Sequence, residues 1–79
     1  MANKDFINAY IQFVMADDDS PLLACCFKHG IDIPSDKDEF AAGVYIAVQD
    51  EQEICEEVKQ TARMKLTEIL KRRGFTSWL

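Results

Sequence analysis

The three cysteines and the one histidine are the residues of this sequence best suited to bind a transition metal. Cys25, Cys26, His29 and Cys55 form an acceptable Cys3His set for zinc. Cys25 and His29 are four residues apart, so on a helix they share a face. Adjacent cysteines on a helix diverge by about 100°, however, and no two cysteines have the usual zinc-site spacing. We therefore expect no metal or other cofactor, and a zinc-stapled structural domain is kept as an alternative.

The carboxylates do not cluster in a pattern that would predict acid–base catalysis. Residues 17–19 are three aspartates before one candidate helix, and residues 36–39 carry three acids at the start of another. Acids at these positions cap a helix or interact with its dipole. The sequence contains no glycine-rich phosphate loop, nucleophile elbow or HExxH motif. We expect that the protein is not an enzyme.

Apolar residues at helical spacing predict the elements that position these groups. The predicted helices lie at about residues 4–16, 20–30, 35–49 and 50–73. Ser20 and Ser35 are the expected N-caps, and Gly30 and Gly74 are the expected residues just beyond a helix end. The run GVYIAV, residues 43–48, is also rich in strand-forming residues, but the sequence offers it no partner strand. We expect that run to be helical.

These segments predict an all-α fold, a small compact bundle of three to four helices with a short apolar C-terminal tail, in a single domain, 1–79. We expect helices 1 and 4 to form the main hydrophobic contact and Gly43 to mark a close helix crossing. Leu23 and Phe27 are expected to face the core. The sequence leaves open whether helices 3 and 4 are continuous. It also leaves open whether the tail FTSWL packs on the core or on a partner.

The charge is unevenly distributed along the chain. Residues 1–57 carry three Lys and thirteen Asp or Glu, a net charge of −10, whereas residues 58–79 carry six Lys or Arg and one Glu, a net charge of +5. An asymmetry of this size is typical of an interaction surface. Acids stabilise the start of a helix and bases its end, which explains part of the pattern.

We therefore predict a small acidic interaction protein, a regulator or inhibitor that binds a basic protein, which itself is expected to handle nucleic acid. An acidic surface steers encounter with a basic partner and selects among partners, and tryptophan is enriched among interface hot spots. A homodimer is a further hypothesis, since an antiparallel pair would set the acidic start of helix 4 against its basic end. The candidate partner-binding residues are Asp36, Asp38, Glu39, Asp50, Glu53, Glu56, Glu57 and Trp78.

Nucleic-acid binding is the other alternative, because helices 2 and 3 superficially resemble a helix-turn-helix. The second helix would present Asp36, Asp38 and Glu39 to the groove, where they repel the phosphates that supply most of the affinity. The sequence therefore disfavours direct nucleic-acid binding. The remaining cations lie in helix 4 and near its end, at Arg63, Lys65, Lys71, Arg72 and Arg73.

Hydropathy and cysteine content limit the cellular locations that we expect for this protein. No apolar run approaches the roughly 20 residues that span a bilayer, and the N-terminus lacks the pattern of a secretory signal. Three cysteines, two of them adjacent, make a poor disulfide framework. We expect a reducing, cytoplasmic location and no membrane partner.

Overall fold

The computed structural model describes residues 4–74, and all regular secondary structure in that range is helical. The four helices are α1 (Lys4–Ala16), α2 (Ser20–Lys28), α3 (Lys37–Gln49) and α4 (Glu56–Arg72). The predicted all-α bundle is confirmed, and the run at residues 43–48 is helical. The predicted apolar tail lies outside the described residues.

The start of α2 is set by two aspartates and a proline. The N–H of Ser20 donates to the Asp18 carboxylate at 3.1 Å. Ser20 is the first residue of α2 and is therefore not the N-cap that the sequence predicted. The N-cap is Asp19, whose side chain makes no capping hydrogen bond. Pro21 lies in the first turn, where its missing N–H costs no helical hydrogen bond.

The end of α2 confirms the predicted role of Gly30. Gly30 has a φ of 67°, a left-handed conformation that glycine adopts without strain. Its N–H donates to the Phe27 carbonyl at 3.2 Å, and the N–H of Ile31 donates to the Cys26 carbonyl at 2.9 Å. This pair of hydrogen bonds is the common C-terminal motif that satisfies the last carbonyls of a helix.

Helices α3 and α4 are separate, which answers the question that the sequence left open. The predicted helix start at residue 50 is wrong, because α4 begins at Glu56 and residues 50–55 are not helical. Ile54 lies in this non-helical connection, is only 3% exposed and places its side chain in the core. Cys55 then takes an extended conformation at the N-cap of α4.

All four helices contribute to one hydrophobic core. The largest fully buried side chains are Val14, Leu22 and Val48, from α1, α2 and α3. The most extensive helix packing is α3 against α4, followed by α1 against α2, so the prediction that α1 and α4 form the main contact is wrong. The short connections at residues 17–19 and 50–55 make α1–α2 and α3–α4 antiparallel neighbours, whereas the longer segment 29–36 separates α2 from α3. The rings of Phe40 and Tyr45 lie 5.8 and 5.6 Å from that of Phe13 and join α3 to α1.

Two predictions about individual core positions are also wrong. Phe27 is 87% exposed and does not face the core as predicted, whereas Leu23, on the same row of α2, is half-buried. Gly43 does not mark a close crossing, because a β-carbon placed on it would meet no atom within 4 Å outside its own helix. The glycine leaves open space on the surface of α3.

Candidate partner-binding surface

The start of α3 is held by an aspartate one residue later than predicted. Asp36, not Ser35, is the N-cap, since its backbone is extended and its carboxylate accepts hydrogen bonds from the N–H groups of Asp38 and Glu39 at 2.9 and 3.4 Å. These bonds satisfy two of the N–H groups that a helix start leaves unpaired. Because α3 and α4 are antiparallel, this start lies beside the end of α4.

Four charged side chains meet there and form what we call the paired end: Asp36, Asp38, Arg72 and Arg73. A guanidinium nitrogen of Arg73 lies 2.8 Å from Asp36, and one of Arg72 lies 2.7 Å from Asp38. Arg73 also approaches Asp38 at 3.5 Å. Acids at the start of one helix thus face bases at the end of its neighbour, and each charge also complements its own helix dipole.

The geometry of the paired end shifts the pKa values of its members. Partial desolvation acts to raise the pKa of Asp36, but the N–H groups of Asp38 and Glu39 and the guanidinium of Arg73 outweigh it, so the pKa lies below its ordinary value. The same contact with Asp36 raises the pKa of Arg73. Both residues therefore keep their charge over a wide pH range.

The other end of the α3–α4 pair is the acidic connection, residues 50–57, which contains five carboxylates and no Lys or Arg. Glu56 alone among them has a cationic partner in the described structure, because Arg63 lies 2.6 Å from it. That contact lowers the pKa of Glu56. No described Lys, Arg or His nitrogen lies within 4.0 Å of the other four, which are Asp50, Glu51, Glu53 and Glu57.

An amide side chain links the helices beside the acidic connection. Gln49 is half-buried at the end of α3, and its Nε2 donates to the Lys59 carbonyl at 2.9 Å. Its Oε1 accepts a hydrogen bond from Arg63 at 2.7 Å. Arg63 therefore bridges Gln49 and Glu56, and α4 is tied to α3 here without neutralising the other acids.

The candidate residues predicted from the sequence fall into distinct groups. Asp36 and Asp38 belong to the paired end, and Glu39 lies one residue beyond on α3. Asp50, Glu53, Glu56 and Glu57 belong to the acidic connection, and all four are exposed. Glu51, which is half-buried, belongs to the acidic connection too but is not among the predicted partner-binding residues. Its acidic neighbours at 50 and 53 are the signal that could have identified it. Trp78 lies outside the described residues.

The cations in and near α4 are mostly engaged within the chain. Arg63, Arg72 and Arg73 have the carboxylate partners described above, and Lys65 lies 2.8 Å from Asp17. The ammonium of Lys65 also donates to the Val14 carbonyl and so offsets the negative end of α1. Among the described cations of the nucleic-acid hypothesis, Lys71 alone has no carboxylate within 4.0 Å.

The helix-turn-helix interpretation also lacks its defining contact. Helices α2 and α3 make no direct backbone contact with each other. In a helix-turn-helix the two helices pack together, so that the first supports the second in the groove. The observed arrangement therefore does not favour that alternative.

The cysteines and the histidine occupy structural positions. Cys26 is 5% exposed, and its burial, followed by the charge of Cys25, raises the pKa of its thiol. The Cys25 Sγ donates to the Asp5 carbonyl at 3.6 Å, whereas Cys55 is exposed. The His29 ring packs 5.1 Å from that of Phe6. Nowhere in residues 4–74 do three His, Cys, Asp or Glu side chains converge as a metal site requires, so the zinc alternative lacks its geometry.

Comparison with protein-family models, with curated proteins and with solved structures found no match for this chain. A separate check of the described helices found none with the length and apolar character that crossing a membrane requires.

Proposed function

We propose that this protein is a non-enzymatic interaction module, a regulator or inhibitor that binds a basic protein through its acidic connection. The observation that carries the proposal is that carboxylates at the two ends of the α3–α4 pair differ in whether a cation lies beside them. Four of the five carboxylates in residues 50–57 lack a cation within 4.0 Å in the described structure, whereas both predicted acids of the paired end have one.

Unpaired surface carboxylates are suited to recognition over a distance. Their field attracts a basic surface before contact and raises the rate of association, while it disfavours acidic partners. An internal ion pair removes most of this field, because opposite charges about 3 Å apart cancel at a distance. The acidic connection therefore contributes more to the external field than the paired end does.

The proposed partner is a nucleic-acid-handling protein whose binding surface is rich in Lys and Arg, because such a surface complements a dense acidic patch. The proposed setting is the cytoplasm, because three cysteines, two of them adjacent, make a poor disulfide framework. Self-association through both ends of α4 has less support, because Arg72 and Arg73 already contact Asp36 and Asp38.

The test is a pull-down with the immobilised chain from a nuclease-treated lysate, at low and at moderate salt, followed by mass spectrometry. The test variant carries Asp50→Asn, Glu53→Gln and Glu57→Gln. We expect the wild type to retain a basic protein at low salt and the variant to lose most of it. Screening over roughly 10 Å at 0.1 M salt should weaken the wild-type capture as well.

The matched control removes three charges of the same sign elsewhere, through Asp18→Asn, Asp19→Asn and Glu68→Gln. These three acids are exposed and have no cation within 4.0 Å among the described residues. We expect the control to capture the same protein nearly as well as the wild type. Equal losses in both variants would show that net charge, and not the acidic connection, determines binding.

A further inference from the structure

A cleft opens between α1, α2 and α3, where α2 and α3 make no direct backbone contact. Its volume is about 210 Å³, and its walls are mainly apolar, with Phe6 from α1, Leu22 from α2 and Phe40 from α3. Gly43 lies in its wall and supplies no side chain to fill it. A side chain at this position would extend into open space, because a β-carbon placed on Gly43 meets no atom within 4 Å outside its own helix.

The rim of the cleft is acidic. Asp32 and Glu39 line it, no Lys, Arg or His does, and neither acid has a cation within 4.0 Å among the described residues. Tyr10 lines the cleft as well, and its pKa is raised by burial first and then by the negative charge of Glu51. Glu51 belongs to the acidic connection, so one of its carboxylates acts on a side chain that lines the cleft.

A second cleft, at the paired end, differs in its charge. It has a comparable volume of about 240 Å³ and contains Ile69 and Leu70. Its acids are Asp36 and Asp38, which arginines neutralise, and Glu39, which it shares with the cleft at Gly43. Because Arg73 also lines this second cleft, whereas no cation lines the cleft at Gly43, charge complementarity for a basic partner favours the cleft at Gly43.

We propose that the cleft at Gly43 receives one large apolar side chain from the basic partner, flanked in that partner by Lys or Arg residues that contact Asp32 and Glu39. This inference rests on the proposed function and adds where the partner is anchored. Pockets for whole small molecules usually measure about 300–1,000 Å³, so this smaller cleft suits a single side chain. Anchors of this kind carry much of the energy of an interface.

The test uses two synthetic peptides of equal charge as probes, Arg-Lys-Phe-Lys-Arg and Arg-Lys-Ala-Lys-Arg, with amide chemical shifts of the full chain as the readout. We expect the Phe peptide to shift the signals of Gly43 and Val44, and the Ala peptide to shift only signals near the acids. Gly43→Leu should fill the cleft and weaken the Phe peptide about tenfold or more, the effect expected from excluding one large apolar side chain.

Gly43→Ala is the matched control. Both substitutions raise helix propensity at a position with free space, so neither should unfold the chain, and we expect Gly43→Ala to keep most of the affinity. The proposal is overturned if Gly43→Leu binds the Phe peptide as the wild type does. It is also overturned if the Gly43 signal shifts with the chain's own concentration, or when residues 75–79 are removed, since a second copy or the chain itself would then fill the cleft.

The two proposals fail in distinguishable ways. If both peptides bind equally and the triple variant of the acidic connection abolishes binding, the cleft assignment is wrong and the proposed function stands. If neither peptide binds at low salt, and the pull-down recovers no basic protein, both proposals are wrong.

Discussion

At the paired end, two carboxylates at the start of α3 face two arginines near the end of α4, whereas only one of the five carboxylates in the acidic connection contacts an arginine. Both regions join the same two helices, and both contain residues that the sequence marks as acidic. The first arrangement uses its charges within the chain, and the second presents them to solvent. The comparison shows that acidic residues in a sequence do not by themselves define an acidic surface. Cations at a neighbouring helix end pair with them in one region and not in the other.

The largest effect on stability should come from the hydrogen-bonded link next to the acidic connection. Gln49→Ala removes the bonds to Lys59 and Arg63, and we expect it to lower the free energy of unfolding by about 1–3 kcal/mol, from roughly 0.5–1.5 kcal/mol for each bond. Urea denaturation measures the loss. Gln52→Ala, an exposed amide in the same connection, is the control and should stay within about 0.5 kcal/mol of the wild type. Equal losses would contradict the assigned role of Gln49.

A smaller effect is expected at the paired end and separates capping from ion pairing. Asp36→Ala removes the N-cap and the contact with Arg73, and we expect the melting temperature to fall by about 4–8 °C, as for one lost cap in a domain of this size. Asp36→Asn keeps an equally good cap and loses only the charge, so its decrease should be smaller. If Asp36→Asn is as damaging as Asp36→Ala, the ion pair with Arg73 and not the cap stabilises this end.

The smallest effect should be seen in acid. The pKa of Asp36 is lower in the folded chain than its ordinary value of 3.8, so its stabilising contribution is complete above that value and is lost as the pH falls through the lower, folded value. Asp36→Asn should therefore make the decrease of melting temperature below about pH 4 less steep. Melting curves recorded between pH 7 and pH 2.5 test this, and an unchanged acid decrease would contradict the assignment.

The helices were predictable from the sequence where local signals determine them. Gly30 ends α2 as expected because a residue at positive φ favours glycine whatever surrounds it. The start of α4 was not predictable, because residues 50–55 contain no Gly or Pro to mark a break and their sequence is compatible with a helix.

The candidate site was predictable as a set of residues but not as a surface. Asp36, Asp38, Asp50 and Glu53 have similar local sequence signals, and the difference between them arises from contacts across some 35 residues, such as Arg72 with Asp38. Likewise, no local pattern in the sequence gives Lys65 an acidic partner, yet its ammonium contacts Asp17, 48 residues away. Gly43 suggested close packing by its type alone, and the structure shows open space there.

The most direct test of the account compares two double variants with the same change in charge. Asp36→Asn with Asp38→Asn alters the paired end, and Asp50→Asn with Glu53→Gln alters the acidic connection. Each is measured for thermal stability and for capture of the basic protein at low salt. We predict that the first variant melts at a lower temperature and still captures the protein, while the second keeps its melting temperature and loses capture. Loss of capture by the first variant with full retention by the second would contradict the account.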